Sequence, residues 1–201
     1  MLSSLSAVQP AVDIEFSAER HEYRIGGTRW PSVTEVLDPL LELDGIPKHL
    51  LKAAAEFGSH VHQACHLHNV GALNWSTLDP VLAPYVEAWR DFLDENNAIV
   101  IASEQRVAHP KLRYAGTLDA IIRLKGQKVL ADIKTSATVP RTVGPQTAAY
   151  QYALGDLTTV RRCVHLRPDG TYRLHKLTDR ADWNLFLSAL NVHQWRHRHA
   201  A

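Results

Sequence analysis

Asp119, Asp132 and Lys134 are the residues in this sequence best equipped to do chemistry. They lie in two apolar runs, Tyr114-Ala-Gly-Thr-Leu-Asp119-Ala-Ile-Ile and Val129-Leu-Ala-Asp132-Ile-Lys134, and both runs have the composition of β-strands. A carboxylate in such a strand is costly unless a partner compensates it. Alternation along a strand puts Asp132 and Lys134 on one face, two residues apart. Asp119 lies on the preceding strand, across the short Lys125-Gly-Gln127 hairpin loop. Two acids and an amine converging on one point are the minimal equipment for metal-assisted hydrolysis of a phosphodiester. Carboxylates with a backbone carbonyl are hard oxygen donors and suit Mg²⁺ or Mn²⁺. The amine can orient a water or offset developing negative charge.

Asp-x-Lys alone says little. Twelve aspartates and seven lysines in 201 residues produce that triplet by chance in about four chains of ten. The bland counterpart is a buried Asp132–Lys134 ion pair with Asp119 at an exposed strand end, and the triplet itself leaves both open. Two neighbouring features add information. Gln146 and Tyr150 are four apart on the next predicted helix and share a face, where they can orient a lysine, a water or a phosphate, or serve as a core aromatic and its solvated neighbour. Upstream, Phe57-Gly58-Ser-His-Val-His62 puts His62 one turn beyond Gly58, which leaves room for close approach; a neutral imidazole is a further metal ligand.

The elements that must position these residues follow from pattern. Residues 1–12 look like a loose tail. Ile14–Phe16 and His21–Ile25 form short strands, with a Gly26-Gly27 turn before Thr28–Trp30. Ser32, with Glu35 three residues on, is a capping-box start for a helix to about Leu43. Longer helices are predicted from Pro47 to Val70 and from Pro80 to Asn96, the latter presenting Val81, Leu82, Tyr85, Trp89, Phe92 and Leu93 at helical spacing. Strands are expected at 99–102 and 104–107, 114–124 and 128–135. A helix at 145–154, strands at 158–166 and 171–177, and a helix at 179–194 follow, with 195–201 as a second loose tail. No linker or repeat divides the chain, so the expectation is one domain over 1–201: α/β, a central mixed sheet flanked by helices, preceded by an N-terminal β-hairpin and helical segment.

Bulk properties exclude some classes. Net charge is only +1, which argues against a purely electrostatic nucleic-acid binder but not against a local basic groove. Two cysteines cannot build a four-thiolate zinc or iron–sulfur site. The N-terminus lacks the basic and apolar regions of a signal peptide, and no run spans a bilayer, so the sequence predicts a cytoplasmic protein with no membrane partner. His62-Gln63-Ala64-Cys65-His66 nearly matches a zinc-protease motif, but Gln63 stands where that chemistry needs a glutamate base. Trp30 can stack on a nucleobase or belong to the core. Arg141, with Arg161 or Arg162, is a candidate phosphate contact, and Arg196-His-Arg-His199 an exposed, frayed end.

Taken in order, Gly58-x-x-x-His62, Gly116-x-x-Asp119, Asp132-x-Lys134 and Gln146-x-x-x-Tyr150 resemble the RecB-like branch of the PD-(D/E)XK nuclease superfamily. Trp30-Pro-Ser32-Val-Thr34 is similar to a segment that precedes the core in small relatives, including mitochondrial genome maintenance exonucleases. The resemblance covers roughly residues 21–155. It implies a restriction-endonuclease-like core and a Mg²⁺- or Mn²⁺-dependent DNA exonuclease working from single- or double-stranded ends. His62, Asp119, Asp132 and the Ile133 carbonyl would bind metal. Lys134 would be the catalytic lysine, supported by Gln146 and Tyr150, with Glu104 as an additional acid. Trp30, Ser32, Thr34 and Arg141 would contact nucleic acid, and a single-strand-annealing or recombination protein would be a further partner. The other expectations on the same fold are a restriction-type or junction-resolving endonuclease, and a catalytically silent nucleic-acid-binding protein. The chain lacks the four cysteines of the cysteine-cluster relatives and any Gly-x-x-x-x-Gly-Lys-Ser/Thr phosphate loop.

Overall fold

The computed structural model describes residues 13–41 and 45–199. Three short strands, β1 (Glu15–Ser17), β2 (Glu22–Ile25) and β3 (Thr28–Trp30), form a small antiparallel sheet. Helices α1 (Val33–Leu37), α2 (Lys48–Asn69) and α3 (Ala83–Glu95) follow. The main sheet then comprises β4 (Ile99–His109), β5 (Tyr114–Leu124), β6 (Gln127–Lys134), β7 (Val160–Leu166) and β8 (Tyr172–Lys176) in chain order. Helix α4 (Val143–Leu154) crosses from β6 to β7, the one parallel pair in that sheet, and α5 (Asp182–His199) closes the described chain.

The expected mixed sheet flanked by helices is present, and all five strands join it. Helices cover both faces. On one face α2 and α3 bury Val61, Cys65, Trp89 and Phe92 against Ala120, Ile122, Val129, Ala131 and Ile133. On the other α1, α4 and α5 bury Val33, Leu37, Ala149, Tyr150, Phe186 and Leu190 against Tyr114, Leu118, Ile121 and Leu130. Each fully buried large aliphatic side chain contributes roughly 1.5–3 kcal/mol, so both faces anchor the strands that carry the acids. The small sheet packs Tyr23 and Trp30 on Ala108 and Ala115, where β4 meets β5.

Boundaries shift for identifiable reasons. Ser32 does cap α1, accepting from the Glu35 N–H at 2.9 Å in a complete capping box. The helix stops at Leu37, however, and a 3₁₀ turn follows at Asp38–Leu40, because Pro39 lacks the N–H that would continue it. The expected helix is thus corrected over 38–41, while 42 and 43, like the loose tail at 1–12, lie outside the described residues. Helix α3 begins at Ala83; Asp79 instead holds the Val81 N–H in the preceding turn. At the other end, α5 runs to His199 instead of ending at Gln194, since no glycine or proline interrupts Trp195-Arg-His-Arg-His199. Residues 195–199 are thus helical, which corrects the expected frayed end. Among the described residues, no helix is long and apolar enough to cross a membrane.

Strand β4 carries two irregularities that set the site. Its register against β5 shifts between Val100 and Ala102, the mark of a bulge. Beyond the shift Ser103 pairs with Ala120 and Gln105 with Leu118, so Glu104 stands opposite Asp119. Glu104 itself has φ of +52°, a left-handed conformation unusual for glutamate.

Candidate metal centre

Strands β5 and β6 pair regularly only from Leu124–Gln127 to Ala120–Ala131. Beyond that point the Asp119 side chain takes over a backbone role, its Oδ2 accepting the Ile133 N–H at 2.6 Å. The strands therefore part where the two acids sit. The other oxygen, Asp119 Oδ1, lies 3.1 Å from His62 Nδ1 on α2. Donor atoms of His62, Glu104 and Asp119 all fall within 4.8 Å of one another, bringing α2, β4 and β5 to one point.

Asp132 sits just behind, almost fully buried, with Lys134 Nζ 2.8 Å from its Oδ2. The ammonium pairs with that oxygen, while Oδ1 accepts no hydrogen bond from any described residue. A buried carboxylate left short of donors calls for a further positive partner. The Lys134 side chain is 18% exposed, whereas that of Asp132 is closed to solvent.

Protonation follows from these contacts. Burial pushes the Glu104 carboxyl up to about 7, with the Asp119 charge adding to the effect and His62 opposing it. Burial likewise raises Asp132, against the pull of Lys134 and with the help of Asp119. Asp119 shows the opposite balance: burial is outweighed by His62, Lys134 and the Ile133 N–H, and its carboxyl is held below the usual range. His62 and Lys134 resist burial through the neighbouring acids and keep their protons more tightly than usual. Excess acid that binds protons in the absence of a cation is the donor set a hard divalent ion would take up. His62, Glu104 and Asp119 fit such an ion; Asp132, expected as a ligand, is outside that 4.8 Å group and its Oδ2 is paired with Lys134.

Supporting contacts extend beyond the charged groups. Tyr150 is buried, and Gln146 Nε2 donates to its hydroxyl at 3.3 Å. The Tyr150 ring lies against Gly116: a Cβ there would be 2.6 Å from Tyr150 Cε1 and 3.4 Å from Val33 Cγ2. Beside the acids, close packing thus depends on Gly116, as it does further along on Gly144 against Asp182. At Gly58 a Cβ would meet Thr135 Oγ1 at an ordinary 3.6 Å, so that glycine is not what admits α2. Ser103 was not singled out from sequence, yet its Oγ receives Asn69 Nδ2 at 3.0 Å, faces His66 Nδ1 at 3.0 Å and reaches the Asp119 carbonyl at 3.4 Å. His62, His66 and Asn69 recur at i, i+4 and i+7 on α2, a one-face pattern that could have revealed them. Thr117, two residues before Asp119, holds the Tyr23 hydroxyl at 2.9 Å.

The residues expected to meet nucleic acid are scattered. Trp30 is 9% exposed in the small sheet's core, which removes it as a stacking platform. The Ser32 hydroxyl caps α1 and contacts exposed Thr34 at 3.0 Å, and so serves the helix. Arg141 is exposed on the turn between β6 and α4. Arg161 is corrected outright: it is buried, donating to Asp182 Oδ2 at 2.9 Å, the Gly144 carbonyl at 2.8 Å and the Asp179 carbonyl at 3.0 Å, and so ties α4 to α5.

No family model matches the chain, and no curated protein matches it. Among solved structures, the protein SSO0001 aligns over 52% of this chain and 52% of its own at 19% identity and a TM-score of 0.36, so the chain spans about half of that protein's length. An alkaline exonuclease, LHK-Exo from Laribacter hongkongensis, aligns over 84% of this chain and 92% of its own at 14% identity and a TM-score of 0.41. Its complex with dAMP aligns over 85% and 93% at 13% identity and a TM-score of 0.42. Likeness at this level assigns no function.

Proposed function

We propose that this chain is a divalent-metal-dependent deoxyribonuclease of the PD-(D/E)XK superfamily, RecB-like branch, that degrades DNA from its ends. The observation that carries the proposal is the convergence of His62, Glu104 and Asp119 within 4.8 Å, together with a buried Asp132 whose Oδ2 is paired with Lys134 and whose Oδ1 has no partner among the described residues. The cation is taken to be Mg²⁺ or Mn²⁺, since oxygen donors outnumber the single imidazole. When bound, such an ion supplies positive charge that acidifies a water and neutralises a scissile phosphate.

The side chains divide the remaining work. Asp119 fixes its carboxylate through the Ile133 N–H, so the acid is oriented before any ligand arrives. Lys134, charged and at the solvent edge, donates to an incoming water or to a phosphate oxygen and offsets the negative charge that builds during attack. Asp132 holds the lysine in place. Tyr150, wedged on Gly116 and hydrogen-bonded by Gln146, supports β5 behind the acids. Preference for an exonuclease over an endonuclease comes from the motif resemblance alone. End-labelled linear duplex, single-stranded DNA and covalently closed circles, each incubated with Mg²⁺ or Mn²⁺, test the proposal. Shortening of linear DNA with circles untouched supports it. Cutting of closed circles assigns an endonuclease, and no cleavage of any substrate leaves a silent binding protein.

A further inference from the structure

A second group of metal-type donors lies apart from the acids on β5 and β6. His193 and His197 are one turn apart on α5, with ring centroids 4.4 Å from each other. Glu35 of α1 faces them, and donor atoms of all three lie within 4.8 Å of one another. Spacing of i, i+4 on one helix with a third ligand from another element is a common way to present two imidazoles to one ion.

The Glu35 carboxylate is built for one open oxygen. Its Oε2 is already used: Arg29 Nη2 donates to it at 2.9 Å, and the Ser32 N–H reaches it at 3.4 Å through the capping box. Its Oε1 is turned to His193 Nε2 at 3.7 Å. That separation is too long for a hydrogen bond. It is close to the spacing of about 3.3 Å between donors that bind one tetrahedral ion at roughly 2.0–2.1 Å. Arg29 and the cap thus hold the acid in place from behind, as supporting contacts do in metal sites. Two imidazoles and one carboxylate make a borderline donor set, which selects Zn²⁺ and its neighbours Co²⁺ and Ni²⁺ over Mg²⁺.

We infer that Glu35, His193 and His197 form a transition-metal site, of the zinc class, that staples α5 to α1. The site goes beyond the nuclease proposal and does not depend on it. Its consequence is local rigidity. Helix α1 follows a segment docked on β5, where the Ala115 N–H donates to the Pro31 carbonyl at 3.0 Å and Ser32 bridges Ala115. A metal fixing α1 therefore steadies the strand that carries Asp119 from its far end.

The test uses the full chain, stripped with chelator and titrated with Co²⁺, followed by its visible absorption and by thermal melts. The His62→Ala variant removes the imidazole of the acid cluster and isolates the second site. It should still bind one equivalent of Co²⁺ with tetrahedral absorption and melt about 5–10 °C higher at hundredfold saturation. Adding His197→Ala should abolish both responses; His197 is exposed, so this variant should keep the wild-type circular dichroism. His197→Cys should restore binding with a new thiolate-to-cobalt charge-transfer band. Unchanged cobalt spectra and melting shifts after His197→Ala, no response to Co²⁺ in the His62→Ala protein, or no thiolate band in His197→Cys would each overturn the inference.

Discussion

Replacing Gly116 by alanine should destabilise the protein through Tyr150. The added Cβ would stand 2.6 Å from Tyr150 Cε1, whereas carbon pairs settle at about 3.5–4.0 Å. About 1 Å must come from somewhere. Val33 Cγ2, at 3.4 Å on the other side, blocks the opposite escape, and Tyr150 is buried among α1, α4 and α5. Overpacking of this kind costs about 1–3 kcal/mol. Alanine returns roughly 0.5–1 kcal/mol through its lower backbone entropy, so the net loss should lie between about 0 and 2.5 kcal/mol. Urea unfolding in chelator measures it as a shift in midpoint at constant slope. The double-mutant cycle identifies the cause. Tyr150→Ala alone should cost about 3–5 kcal/mol, and in that background Gly116→Ala should become neutral or stabilising. A net gain in stability for Gly116→Ala, or additive losses in the double variant, would refute the reasoning.

Other predictions concern the charged groups. Lys134→Ala should slow cleavage by at least about a hundredfold while Mn²⁺ affinity, measured by calorimetry, stays within about threefold of wild type. Mn²⁺ affinity should climb as pH rises through 7, because Glu104 must lose its proton to act as a ligand; Glu104→Gln should weaken binding and flatten that slope. The sign for stability runs the other way. A folded carboxyl that keeps its proton to about 7, against an ordinary 4.5, stabilises the metal-free protein at low pH, and this contribution is lost as pH rises through that window. Urea titrations of the metal-free protein at several pH values would show it as a decline that Glu104→Gln lacks. Arg161→Leu should cost about 3–5 kcal/mol by stranding Asp182, whereas Arg162→Ala should cost less than about 1 kcal/mol.

Much of the centre was legible because its signals are local. Asp132 and Lys134 share a face by strand alternation, Gln146 and Tyr150 by helix spacing, and the Ser32 cap by its partner at Glu35. The partial exposure of Glu104 and its place opposite Asp119 depend on a register shift at Ile101, which no motif encodes. Trp30 and Arg161 were ambiguous for a different reason. An amphipathic ring or guanidinium can face solvent or core, and tertiary packing decides. Trp30 found the small sheet's core, and Arg161 found acceptors at Gly144, Asp179 and Asp182 that join α4 to α5. The polar end of α5 reads as a tail by composition, yet nothing in Trp195–His199 breaks the helix. The approach of Glu35 to His193 joins positions far apart in sequence, and only the packing of α1 on α5 brings it about.

The central claim is that the cluster of His62, Glu104 and Asp119 holds the ion on which strand cleavage depends. Mn²⁺ binding and cleavage of end-labelled linear DNA should therefore be measured on the same preparations of wild type and Asp119→Ala. Occupancy and rate should rise together in the wild type, and both should vanish in a variant that keeps its circular dichroism. A wild-type rate that persists in excess chelator, or a folded Asp119→Ala protein that cleaves as fast as its parent, would contradict the account.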